Sequence, residues 1–121
     1  MSCILLFNIK DENKLTAVRL TAMRFGVPCF EIRPEQQGQT IEALLTGRET
    51  SSSSSGVPFL DEMMVMNELP AGVFHAVLDA LRRDGKSIRL KAVVTPHNKS
   101  WTALRLHREI SAEAAAMERR R

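Results

Sequence analysis

"EMMVMNELPAGVFHAVLDALRRDGKSIRLKAVVT", Glu62 to Thr95, decides the fold. Its middle is a helix punctuated at both ends. Pro70 stands in the first turn, where a missing N–H costs nothing, and Phe74, Val77, Leu78 and Leu81 follow at i, i+3, i+4 and i+7. Arg82 and Arg83 fill the last turn, where cations suit the helix dipole, and Gly85 lies just past it. On either side stands a short apolar run without clean alternation, EMMVMN (62–67) and IRLKAVVT (88–95), as expected of strands covered on both faces. The methionines of the first run read as core filler. A strand, a helix and a strand with no hairpin turn between them make a β-α-β unit with parallel strands.

Working outward, the same rhythm continues in both directions. Towards the N-terminus, CILLFNI (3–9) is a first strand and DENKLTAVRLTAMRF (11–25) a helix. Asp11 is that helix's candidate N-cap, Leu15, Val18, Ala22 and Phe25 lie on one face, and Gly26 and Pro28 end it. PCFEIR (28–33) is a second strand, and TIEALLTG (40–47) a short helix with Ile41, Leu44 and Leu45 inward. RETSSSSSGVP (48–58) reads as a mobile loop, since serine and glycine lose backbone freedom on ordering and bury little in return. Towards the C-terminus, a helix is expected over about 100–118, with Ala103, Leu106, Ile110, Ala114 and Met117 down one side and a basic tail behind it. No internal repeat is visible at this level.

The expected fold is therefore a single α/β domain over 1–121, Rossmann-like in layout. Its four-stranded, mostly parallel sheet is expected in the order 2-1-3-4, with right-handed crossovers and helices on both faces. A chain of 121 residues with 44% hydrophobic and 26% charged residues has the composition of a folded globular domain. CILLFNI is too short to span a bilayer and has neither a basic segment before it nor a cleavage site after it, so a cytoplasmic protein with no membrane role is expected. Cys3 and Cys29 form no C-x-x-C and stand at no metal spacing, which makes them buried free thiols. Neither a metal set nor a cofactor motif is present in the pattern.

Beyond the core unit, longer motifs carry a likeness. LDALRRDG (78–85), LKAVVTP (90–96) and NKSWT (98–102), with weaker agreement at ILLFN (4–8), resemble a bacterial domain-of-unknown-function family, number 3783, over Glu62 to Ile110. Thr95, Pro96, Asn98, Lys99, Trp101 and Thr102 match its terminal motif, whereas His97 falls where that family varies. The resemblance implies a small α/β domain without an assigned activity.

In an open parallel sheet, ligands bind beyond the carboxyl ends of the strands. With all strands parallel, that rim would gather Asn8, Asp11, Asn67, Thr95, His97, Asn98 and Lys99 as candidate ligand-binding residues. Pro96, Ser100 and Trp101 have structural parts there: after Thr95 ends the ladder, Pro96 bars another donor and fixes φ, Asn98 or Ser100 caps the last helix, and Trp101 packs beneath its start. The start of that helix would offer unpaired N–H groups, a positive dipole end and the charge of Lys99 to a small anion. His97 is the one histidine on this rim, with no nucleophile or carboxylate partner evident, so no catalytic residue is assigned. A two-component receiver domain is excluded, because Asn67 and Glu68 stand where a phosphorylatable aspartate is needed.

Charge is uneven along the chain. Residues 1–81 carry six Lys/Arg and ten Asp/Glu, and residues 82–121 carry eleven and four. The leading functional expectation is a non-enzymatic accessory or regulatory domain that binds a small anion or another protein at the rim. One alternative is nucleic-acid binding through the basic C-terminal third, which scarce aromatic residues disfavour. Another is an enzyme acting on a phosphorylated or carboxylated metabolite.

Overall fold

The computed structural model describes residues 1–48 and 56–120. The loop expected at 48–58 therefore falls largely on residues outside the described ones, as does Arg121. Strands β1 (Cys3–Phe7), β2 (Cys29–Ile32), β3 (Met63–Asn67) and β4 (Leu90–Val93) form one sheet in the order β2-β1-β3-β4. Helices α1 (Glu12–Arg24) and α3 (Ala71–Arg83) cover one face, and α2 (Ile41–Thr46) and α4 (Ala103–Arg119) the other. The expected α/β architecture, strand order and mostly parallel sheet are all present.

The pairing departs from the expectation at the centre. β1 with β2 and β3 with β4 are parallel, but β1 with β3 is antiparallel, running from Cys3↔Asn67 through Leu5↔Val65 to Phe7↔Met63. The reason lies in the approach to β3. Asn8, at the end of β1, holds a left-handed backbone (φ 61°), a conformation asparagine tolerates, and its Nδ2 donates to the carbonyls of Phe59 and Asp61 at 2.8 and 3.0 Å. Gln37, fully buried, donates to the Phe59 carbonyl and accepts from the Phe59 N–H. Lys14 of α1 pairs with Glu62. These contacts bring the chain to the far end of β1 before β3 begins, so β3 runs back along it.

The antiparallel centre makes the molecule two β-α-β-α halves related by a pseudo-two-fold axis through the Leu5–Val65 pair. β1, α1, β2 and α2 correspond in order to β3, α3, β4 and α4, and α1 and α3 are each 13 residues long. The correspondence reaches single hydrogen bonds. Arg33 N–H donates to Gln36 Oε1 after β2, and Thr95 N–H to Asn98 Oδ1 after β4. Ile41 and Glu42 N–H donate to the carbonyls of Trp101 and Lys99, while Ala103 and Leu104 N–H donate to those of Gln39 and Gln37. Thr40 and Thr102 face each other in an isolated antiparallel bridge, and each caps its own helix, accepting from Ala43 and Arg105 N–H. The two helices thus complete each other's first turns, where backbone N–H groups have no partner within the helix.

Two apolar layers flank the sheet. Leu5, Phe7, Val65 and Leu90 meet Ile41, Leu44, Ala103 and Leu106 on one side, and Ile4, Leu6, Met64 and Met66 meet Val18, Ala22, Val77 and Leu81 on the other. Every residue of β1 is buried, as expected for a central strand between two layers, whereas β2 and β4 are half-exposed edges. Met117, expected on the inner face of α4, is exposed. No helix among the described residues is long and apolar enough to cross a membrane.

Candidate functional site

The antiparallel centre divides the residues expected on one rim. Asn67, Thr95, His97, Asn98 and Lys99 stay at the end where β3 and β4 finish, and Asn8 and Asp11 lie at the opposite end, where β1 finishes. Both of the separated residues have local work. Asn8 pins the approach to β3, and Asp11 Oδ1 caps α1 by accepting from Asn13 and Lys14 N–H.

At the β3–β4 end, several side chains are committed to the fold. Asn67 Nδ2 donates to the Met1 carbonyl. Thr95 and Asn98 close a reciprocal box: Thr95 N–H to Asn98 Oδ1 at 2.9 Å, and Asn98 N–H to Thr95 Oγ1 at 3.1 Å. Asn98 Nδ2 also donates to the Val93 carbonyl, which ends the exposed edge of β4. Asn98 therefore caps the turn after β4 and not the last helix; that cap is Thr102, and α4 begins two residues after Trp101. Nor does the helix start hold N–H groups for an anion. Ala103, Leu104 and Arg105 N–H are bound to Gln39 O, Gln37 O and Thr102 Oγ1. The Glu68 carboxyl is held below its ordinary value first by a hydrogen bond from the N-terminal ammonium, then by the charge of that ammonium and least by that of Lys99.

What remains open is a cleft of about 290 Å³ between β4 and α4, bordered by His97, Trp101, Glu109, Ile110 and Glu113. The Trp101 ring meets His97 edge-on at 5.3 Å, and the Arg105 guanidinium lies 4.2 Å from its centroid. Lys91, at the other end of β4, sends its amine back to the Ile88 carbonyl at 2.6 Å, and partial burial pulls its pKa below the ordinary lysine value. Glu109 and Glu113 stand one turn apart on α4, and among the described residues neither has an ion-pair partner.

The first half supplies an internal control. Pro34, Gln36, Thr40 and Leu44 occupy the places of Pro96, Asn98, Thr102 and Leu106, so both halves use proline, an amide, threonine and leucine in this stretch. At the places of His97, Trp101 and Glu109 stand Glu35, Gln39 and Gly47. The aromatic and acidic groups of the cleft are not shared by the first half, although Trp101 also packs against the core. The repeated spacing P-x-[Q/N]-x-x-x-T-x-x-x-L, present at 34–44 and 96–106, was the sequence signal for the duplicated architecture.

Sequence reading missed a second cluster. His107 Nε2 lies 2.8 Å from Asp61 Oδ2 and 3.2 Å from Ser111 Oγ, and its ring stacks on Phe59 at 4.0 Å. Both oxygens converge on one ring nitrogen, whereas a proton relay uses the two nitrogens separately. The cluster fastens the segment before β3 to α4. Among the described residues, no three His, Cys, Asp or Glu side chains gather as metal ligands do.

Residues 62–117, the second half of the molecule, match the model of a family described as a domain of unknown function, DUF3783. No curated protein and no solved structure matches the chain.

Proposed function

We propose that this chain, whose second half carries the DUF3783 domain, is an accessory binding module that engages another protein through the cleft between β4 and α4. The observation that carries the reading is the contrast between the halves: the same backbone frame holds Trp101, His97 and Glu109 on one side and Gln39, Glu35 and Gly47 on the other. Of the two ligand classes expected at this end, a protein fits better than a small anion. The N–H groups that would hold an anion are bound, and two carboxylates line the cleft. A photo-crosslinking amino acid at His97, with Glu35 as the control position, tests this in cells. A defined adduct, identified by mass spectrometry, is expected at His97 and not at Glu35. Equal labelling at both positions, or none at either, overturns the proposal.

A second reading has one observation in its favour. Arg89 reaches Glu118 at 2.7 Å, which brings the basic stretch of Arg82, Arg83 and Lys86 to the same end of the molecule as Arg119 and Arg120. Such an end suits a phosphate backbone. Filter binding over a salt series tests it, because an affinity indifferent to salt is incompatible with phosphate contacts.

A further inference from the structure

We infer that the exposed edge of β4 receives an extended peptide as a fifth strand, and that Glu109 and Glu113 select a lysine or arginine side chain on it. The inference rests on the cleft reading above and adds the partner's backbone form and charge.

The direction of the backbone groups on β4 follows from two hydrogen bonds. Val94 N–H donates inward to the Met66 carbonyl at 2.9 Å, so along a parallel ladder the N–H groups of Leu90 and Ala92 also face β3. Those of Lys91 and Val93 face away from the sheet. The Val93 carbonyl is met from outside by Asn98 Nδ2 at 3.1 Å, as that alternation requires. The outer edge therefore presents Lys91 N–H, Lys91 C=O and Val93 N–H, and Asn98 closes it beyond. A residue placed opposite Lys91 in an antiparallel strand exchanges two hydrogen bonds with it. The edge is only four residues long and carries a charged residue, features that discourage indiscriminate pairing between sheets. Added affinity has to come from side chains.

The cleft supplies them. Glu109 and Glu113, like charges one helical turn apart, repel each other, and a cation placed between them relieves that repulsion. Trp101 and Ile110 offer apolar surface to the neighbouring side chains of an extended segment. The twin edge of β2 shows what is special here. Its flanking carboxylates, Glu31 and Glu35, are already paired with Arg19 and Arg33 at 3.0 and 2.8 Å, and Gly47 stands in place of Glu109. Among the described residues, no unpaired carboxylate borders the cleft beside β2.

The test follows the backbone amides and the indole N–H of the full chain by NMR, with three acetylated and amidated pentapeptides at up to millimolar concentration. The first is Val-Arg-Val-Arg-Val, the second has glutamate for both arginines, and the third has proline at the centre. The arginine peptide is expected to shift the Trp101 indole resonance and slow amide exchange at Lys91 and Val93 at least tenfold. The other two peptides are expected to bind at least tenfold more weakly. A Glu109→Gln, Glu113→Gln double variant with an unchanged unfolding midpoint is expected to lose at least tenfold for the arginine peptide alone. If Trp101 shifts while exchange at Lys91 and Val93 is unchanged, or the proline peptide binds equally well, strand addition is overturned and the cleft reading stands. If the double variant binds the arginine peptide as tightly as the parent, the charge selection is overturned. No shift at Trp101 overturns the inference as a whole, with the crosslinking experiment left to decide the cleft reading separately.

Discussion

Gln37 shows how one buried side chain can stand in for a length of strand. Its amide donates to and accepts from the backbone of Phe59, whose carbonyl also accepts from Asn8 Nδ2. Gln37→Ala leaves the Phe59 N–H without its partner while the carbonyl keeps Asn8, and a loss of about 1–3 kcal/mol is expected. A fall in the urea midpoint at unchanged slope would report it. Cys29 makes a second prediction, through pH. Burial pushes its thiol up to about 11, above the roughly 8.5 of an unfolded cysteine. The folded state therefore holds this proton longer. The resulting stabilisation is complete below the unfolded value and is lost as pH rises through the folded one. The stability difference between the parent and Cys29→Ser should shrink between about pH 8 and pH 11, measured by denaturation at each pH. Residue roles were unevenly legible. Asp11 stood alone as a cap before α1, whereas Asn98, Ser100 and Thr102 lie within five positions, and local chemistry does not choose among them. The choice is made by Thr40, which meets Thr102 across the axis.

At the scale of elements, α2 and α4 are unusual in that neither completes its own beginning. Each lends carbonyls from the turn before it to the first N–H groups of the other. Thr40→Ala and Thr102→Ala should each cost about 1 kcal/mol as lost caps. Because the two residues bridge, the double variant should depart from additivity by on the order of 0.5 kcal/mol or more. A double-mutant cycle from chemical denaturation measures this, and strictly additive losses would mean the helices are capped independently. The four strands and four helices themselves were readable, since periodicity and capping are local. The exchange between helix starts joins residues far apart in sequence and leaves no periodic trace. Its only sign is the twice-used proline, amide, threonine and leucine spacing, which is sparse enough to pass for ordinary turn chemistry.

For the whole molecule, strand order was legible, as was direction within each β-α-β unit, but the direction of β3 against β1 was not. A β-α-β unit fixes the direction of its own two strands, but β2 and β3 are joined by a six-residue helix and a long connection, so no single crossover sets their relation. Asn8, expected beside a ligand, instead holds the approach that turns β3 around. The antiparallel centre makes each half a support of the other. Leu5→Ala, at the axis, should cost about 2–5 kcal/mol and weaken both halves together. Unfolding followed by Trp101 emission in the second half and by α1 amides in the first should remain coincident in that variant. Separate midpoints would show two independently stable halves. The shared centre also bears on the cleft, because the carbonyl that holds Ile41 N–H belongs to Trp101, whose ring borders it. A guest that tilted this ring would strain a hydrogen bond of the first turn of α2 across the axis, so amides of the first half would register an event in the second.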